Sequence, residues 1–156
     1  MFLIFDTETT GLPLDKNAPL TNFDNWPRMV QLAWQIHDEE GRLVKAENHI
    51  VKPEGFIIPI NAFRVHGIST EHAAKVGKNL NDVLDIFYNE LQKVKYVVGH
   101  NVRFDLNIVG CEYLRTKGFN PLEGKDVIDT CTEKTADFCK LGVGRGGRHK
   151  LPKLAE

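Results

Sequence analysis

Met1-Phe2-Leu3-Ile4-Phe5-Asp6-Thr7-Glu8-Thr9-Thr10-Gly11 opens the chain, and its reading decides the fold. Phe2 to Phe5 is a short apolar run suited to a buried strand, ending in Asp6 and Glu8. Residues two apart along a strand project to the same face. Two carboxylates side by side at the end of a buried strand repel each other, and a hard divalent cation such as Mg²⁺ or Mn²⁺ relieves that repulsion. Thr9-Thr10-Gly11 then turns the chain, bringing hydroxyls and backbone N–H groups close to the pair.

Outward from this strand, the pattern is strand, strand, strand, helices, strand, helix, strand, helix. Residues 1–6 give the first strand, and 13–27 a loop rich in Pro, Asn and Asp. Met29 to His37 alternates as a second strand, Asp38-Glu39-Glu40-Gly41 turns, and Leu43 to Val51 returns as a third, predicting an antiparallel meander. Pro53 to Ile60 reads as extended, and Ser69-Thr70-Glu71 as a helix start. Leu80, Val83, Leu84, Phe87 and Leu91 fall at helical spacing behind a cap at Asn79 or Asn81. Tyr96 to Gly99 predicts a buried strand parallel to the first. A helix over 102–117 stopped by Gly118, with Asn101 capping or leading into it, and a fifth strand over 126–130 follow. Gly142 to Gly147 reads as a Gly-rich loop and Lys150 to Glu156 as the start of an amphipathic helix. This order predicts an α/β fold with a mixed five-stranded sheet and helices on both faces, in one domain over residues 1–156.

Composition narrows the function classes. Hydrophobic residues make up 42% and charged residues 26%, ordinary for a globular chain. A net charge of −1 excludes a generic polyanion binder, so nucleic-acid contact must be local. No apolar run reaches a membrane span, no signal peptide is evident, and Cys111, Cys131 and Cys139 show no CxxC spacing. The expectation is a cytoplasmic protein with reduced, mostly buried cysteines.

A third carboxylate comes from Gly99-His100-Asn101-Val102-Arg103-Phe104-Asp105. Phe104, Ile108 and Cys111 form a burial stripe on the helix, while Asn101 and Asp105 share another face near the carboxyl end of the fourth strand. Ligand sites of open sheets gather at such strand ends. If strands one and four are neighbours, Asp105 comes beside Asp6 and Glu8. Taken singly, Asp105 reads as an exposed helical acid, His100 as a structural residue and Asp129 as a tie at a strand end, while His66 beside Gly67 could simply shape a turn. His37, His49 and His72 read as solvent-facing, Trp34 as core, and Trp26 as an open case.

Asp6-x-Glu8 followed by Thr-Thr-Gly resembles the first motif of the DEDD 3′–5′ exonucleases, and His100-Asn101-x-x-Phe104-Asp105 the second. Val65-His66-Gly67-Ile68-Ser69 and Ile128-Asp129-Thr130 resemble segments of the epsilon, proofreading members of that family. The resemblance implies a ribonuclease-H-like fold and phosphodiester hydrolysis with two Mg²⁺ or Mn²⁺ ions about 3.5–4 Å apart. In that family Asp6 would bridge both ions, Glu8 would hold one, and Asp105 would position the other. Thr9 and Leu12 would contact the terminal nucleotide, and His66 and Asn101 would lie near the substrate strand. The implied partners are a DNA 3′ end, single-stranded or frayed, and a DNA polymerase. Epsilon members carry an acid five positions before the His, where this chain has Asn61.

The third motif of the family, a His with an Asp five residues later, has no match: the late His is His149, and Leu154 stands where the Asp would be. Arg148 to Glu156 resembles the helix preceding that motif, so the expectation is a truncated domain whose intact parent continues. Lacking the water-activating His costs a factor of about 10²–10⁴, and this chain by itself is expected to be nearly inactive. Two other readings stand beside the exodeoxyribonuclease: an exoribonuclease acting on short RNA, and a non-catalytic module that binds nucleic acid or a polymerase. A basic cluster from Arg145 to Lys153 is either a phosphate contact or a solvated loop.

Overall fold

In the computed structural model, which describes residues 1–139, five strands form one sheet in the order β3-β2-β1-β4-β5. They are β1 (Phe2–Thr9), β2 (Met29–His37), β3 (Leu43–Ile50), β4 (Tyr96–Gly99) and β5 (Asp126–Asp129). β1, β2 and β3 are the expected antiparallel meander, while β4 pairs parallel to both β1 and β5. Gly41 turns the first hairpin at φ 78°. The Gly-rich loop, the basic cluster from Arg145 to Lys153 and the helix expected from Lys150 lie outside the described residues.

β1 is longer than expected. Instead of ending at Asp6 it continues to Thr9, because β2 accompanies it as far as the Thr9–Met29 pair. The carboxylates of Asp6 and Glu8 therefore stand within a strand rather than beyond its end. Leu3, Phe5, Thr7 and Thr9 are buried on one side, while Asp6 is exposed and Glu8 half-buried on the other.

The main core lies under the helices α3 (Leu80–Leu91) and α4 (Arg103–Lys117). The Asn79 side chain caps α3 by accepting from the Asn81 N–H, and Asp82 complements the dipole in its first turn. Val83, Leu84, Phe87 and Leu91 are fully buried, each contributing about 1.5–3 kcal/mol. Phe87 meets Phe5 and Trp34 with ring centroids 5.7 and 5.2 Å apart. The Tyr113 hydroxyl on α4 donates to the Leu84 carbonyl at 2.6 Å, locking the two helices together.

A smaller core of Val30, Ile58, Ala62, Ile68 and Ala73 is closed by α1 (Ile60–His66) and α2 (Thr70–Val76). α2 starts at Ser69, as its sequence indicates, whereas α1 was not foreseen: seven residues behind Pro59 give too little periodicity to announce a helix. Two other expectations, on His49 and on the cysteines, are corrected, and the open case of Trp26 is resolved. His49 is buried, ion-paired to Glu47 at 2.9 Å and packed against Trp34. Trp26 is core, its indole N–H donating to the Pro19 carbonyl at 3.1 Å. Of the three cysteines only Cys111 is buried; Cys139 is exposed. No helix among the described residues is long and apolar enough to cross a membrane.

Gly99 ends β4 where the chain turns into α4. A methyl group there would lie 2.5 Å from Val102 Cγ2 and 3.3 Å from the Phe5 carbonyl oxygen. Gly99→Ala is expected to cost about 1–3 kcal/mol by overpacking, read from the denaturant midpoint. An unchanged midpoint would show that this strand–helix junction is looser than its geometry.

Candidate metal and nucleic-acid site

The ladder between β1 and β4 runs from the Phe2–Tyr96 pair to Ile4–Val98 and stops there. β1 continues without β4, so its next backbone donors on that side need other partners. Asp105, in the first turn of α4, supplies one. Its Oδ1 accepts from the Thr7 N–H at 3.0 Å and from the Thr7 hydroxyl at 2.6 Å, across 98 positions of sequence. Asp105 is only 4% exposed, so the reading of an isolated exposed helical acid does not hold. Thr7, between the two acids of the first motif, is the residue that sequence reasoning missed; its one signal is a small hydroxyl on the buried face of the strand.

Asp6 acts electrostatically on each of the other two carboxylates. Burial pushes Asp105 up to about 6, opposed by the Thr7 hydroxyl and aided by the charge of Asp6. Burial also raises Asp6, against the Thr7 backbone N–H and the charge of His100, which lower it. Glu8 is raised by burial first and by Asp6 second. Asp6 is thus the member common to both pairs. A partly buried acid set that resists ionisation is relieved by a cation, and an all-carboxylate donor set suits a hard divalent ion. The side chains are not closed into a cage: no group of three His, Cys, Asp or Glu among the described residues is gathered tightly enough to hold a metal ion. Asp105 instead spends Oδ1 on Thr7.

Around the acids, the β4–α4 junction is held by Asp129, whose Oδ1 accepts from the backbone N–H groups of Asn101 and Cys131, each at 2.8 Å. Asp129 is the strand-end tie the sequence suggested. Asn101 does not cap α4 with its side chain: Val102 is the N-cap residue, and Asn101 itself sits at φ 59°. A non-glycine residue in that region is uncommon, and such positions cluster at functional sites. His100 contacts the Thr130 hydroxyl at 3.0 Å.

The remaining expected residues divide. Leu12 is 81% exposed and lines a cavity of about 670 Å³ together with Asn101. Asp6 and His100 line a different cavity, of about 760 Å³, against the sheet. The Thr9 hydroxyl is occupied locally, donating to the Gly11 carbonyl at 2.6 Å. His66 shapes the turn after α1, its Nδ1 accepting from the Ile68 N–H at 3.1 Å; its buried Nε2 has no partner among the described residues. The structure therefore seats Asp105 on Thr7, which stands between Asp6 and Glu8 in β1, places Leu12 and Asn101 in the lining of one cavity, and gives Thr9 and His66 local roles.

A family model described as "Exonuclease" (RNase T) matches residues 3–156. Among solved structures, E. coli Exonuclease I in complex with a dT13 oligonucleotide matches with a TM-score of 0.72 at 20% identity, over 96% of this chain and 33% of that one. A product-bound structure of exonuclease I gives 0.72 at 20%, over 96% and 35%. The zinc-bound E. coli ExoI–ssDNA complex gives 0.70 at 22%, over 88% and 29%. At these identities the likeness is one of fold, and the fold is the ribonuclease-H-like one that the motifs implied. The chain spans about a third of the length of these solved structures.

Proposed function

We propose that this chain, which belongs to the RNase T exonuclease family, carries the site of a metal-dependent exonuclease that removes nucleotides from a DNA 3′ end. The observation that supports the reading is Asp105 hydrogen-bonded to Thr7, the residue between the two acids of the first motif. Asp6, Glu8 and Asp105 would hold the divalent ions, Mg²⁺ or Mn²⁺, with Asp6 shared. When bound, such ions polarise the scissile phosphate and lower the pKa of an attacking water.

The chain's own residues do the rest. Thr7 fixes the Asp105 carboxylate by two hydrogen bonds, both to Oδ1. Leu12 offers an apolar surface to the terminal base, and Asn101, held in its unusual backbone conformation by Asp129, offers an amide beside it. Thr9 keeps the intervening turn in shape. His66, whose Nδ1 holds the turn after α1, would lie near the substrate strand, as the family resemblance implies. A DNA polymerase is the partner that the epsilon-like segments suggest.

The test is a timed digest of 5′-labelled single-stranded DNA at high protein concentration. Slow shortening from the 3′ end is expected with Mn²⁺, none with EDTA, and at least a further tenfold loss in Asp6→Ala. Internal cuts, or a rate indifferent to Mn²⁺ and to Asp6, would overturn the reading. Matched RNA and DNA oligomers in the same digest separate the exoribonuclease alternative.

A further inference from the structure

The cavity that joins Leu12 to Asn101 also has basic residues in its lining. Lys16, on the loop after β1, and Arg103, the first residue of α4, both line it and are both exposed. Neither side chain has an ion pair or hydrogen bond among the described residues. Most other cationic groups near α4 are neutralised: Arg28 and Arg115 pair with Glu112, and Lys117 with Asp85. Two unneutralised cations on one concave surface, in a chain of net charge −1, mark a local anion site.

The loop bearing Lys16 is held in place rather than loosely tethered. Buried Asn25 accepts from the Asp15 N–H at 2.7 Å and donates to the Asp15 carbonyl at 2.9 Å, while the Leu14 N–H reaches the Asn25 carbonyl at 3.2 Å. Asp15 Oδ1 in turn takes the Asn17 N–H at 2.9 Å. Lys16 is therefore presented from a backbone fixed on both sides. Phe104, half-buried, also lines the cavity and adds an aromatic surface to it. Positive groups that track a backbone beside an aromatic surface are the elements of single-strand binding.

We infer that Lys16 and Arg103 grip a backbone phosphate of the substrate strand upstream of its terminal nucleotide, making this cavity the exit path of a single strand from the acid site. The inference rests on the exonuclease reading, since that reading places the 3′ terminus at Leu12 and Asn101. The pair is a binding device and touches no reacting atom. Asn25 is a positioning residue for Lys16.

The experiment measures binding without turnover, with Ca²⁺ in place of Mn²⁺. Fluorescence anisotropy follows 5′-fluorescein-labelled dT8, and unlabelled thymidine 5′-monophosphate competes for the terminal subsite. Proteins compared are the full chain, Lys16→Ala/Arg103→Ala and Asp6→Ala, each checked for folding by its thermal melt. The double variant is expected to bind dT8 at least tenfold more weakly at low salt. Its slope of log affinity against log salt should fall by about 0.7, the value for one single-strand phosphate, while the mononucleotide competes within twofold of the parent. Unchanged dT8 affinity and slope, with Ca²⁺ dependence intact and lost in Asp6→Ala, would overturn this inference alone. Equal weakening of dT8 and mononucleotide would also overturn it, placing the pair at the terminal nucleotide. Binding indifferent to both Ca²⁺ and Asp6 would remove the exonuclease reading and this inference together.

Discussion

Glu112→Ala is expected to destabilise the fold by about 3–5 kcal/mol, the cost of stripping one partner from a buried ion pair. Glu112 is completely buried on α4. Its Oε1 accepts from Arg28 Nε at 2.9 Å and from the Met29 N–H at 3.0 Å, with Arg115 Nη1 3.2 Å away. Arg115 also donates through Nη2 to the carbonyls of Phe23 and Trp26. One carboxylate thus ties α4 to the start of β2 and to the end of the loop that carries Leu12 and Lys16. Alanine would leave two guanidinium groups facing each other without the charge between them. Glu112→Gln keeps an acceptor for Met29 and should cost less. Urea unfolding of both variants measures the difference; a loss below about 1 kcal/mol for alanine would show that Arg28 and Arg115 find water instead.

Asp105→Asn should have the opposite sign. Burial holds Asp105 up to about 6 against an ordinary value of 3.8. A carboxyl raised on folding adds stability that is complete below the unfolded value and is lost as pH rises through the folded one. In the metal-free protein, ionised Asp105 therefore costs on the order of 2–3 kcal/mol at neutral pH. Asparagine keeps the oxygen that Thr7 needs and removes the charge. The variant should gain little at pH 4 and progressively more toward pH 7, relative to the parent, in melts run with EDTA. Saturating Mn²⁺ should close the gap by stabilising the parent alone. A variant less stable than the parent at every pH, with or without Mn²⁺, would mean that Asp105 is a purely structural acceptor. The sign expected here is that of a buried carboxyl whose ionisation a bound cation would relieve.

The sheet was legible because its signals are local. Met29 to His37 alternates cleanly, Asp38 to Gly41 is a turn by chemistry, and Asn79 precedes a five-residue apolar stripe. The length of β1 was not legible, since Asp6 to Thr9 carries polar residues and continues only because β2 supplies a partner. α1 was missed because seven residues hardly show a period. Of the proposed site, Asp6, Glu8 and Asp105 are named by two motifs. What the motifs could not reveal is that Asp105 spends an oxygen on Thr7, or that Thr9 and His66 are engaged in their own turns. Such contacts join residues that no local pattern relates. Glu112 was equally hidden: on a helix with mixed faces, nothing distinguishes a buried acid from a solvated one until the arginines from elsewhere arrive.

Manganese titration of the metal-free chain, followed through the paramagnetic resonance of free Mn²⁺, tests the acid cluster most directly. Saturable withdrawal of Mn²⁺ from solution by the parent, abolished in Asp6→Asn and weakened in Asp105→Asn, is the predicted result. Mn²⁺ that stays free at all protein concentrations, or is taken up equally by the parent and Asp6→Asn, would contradict the assignment of these three carboxylates.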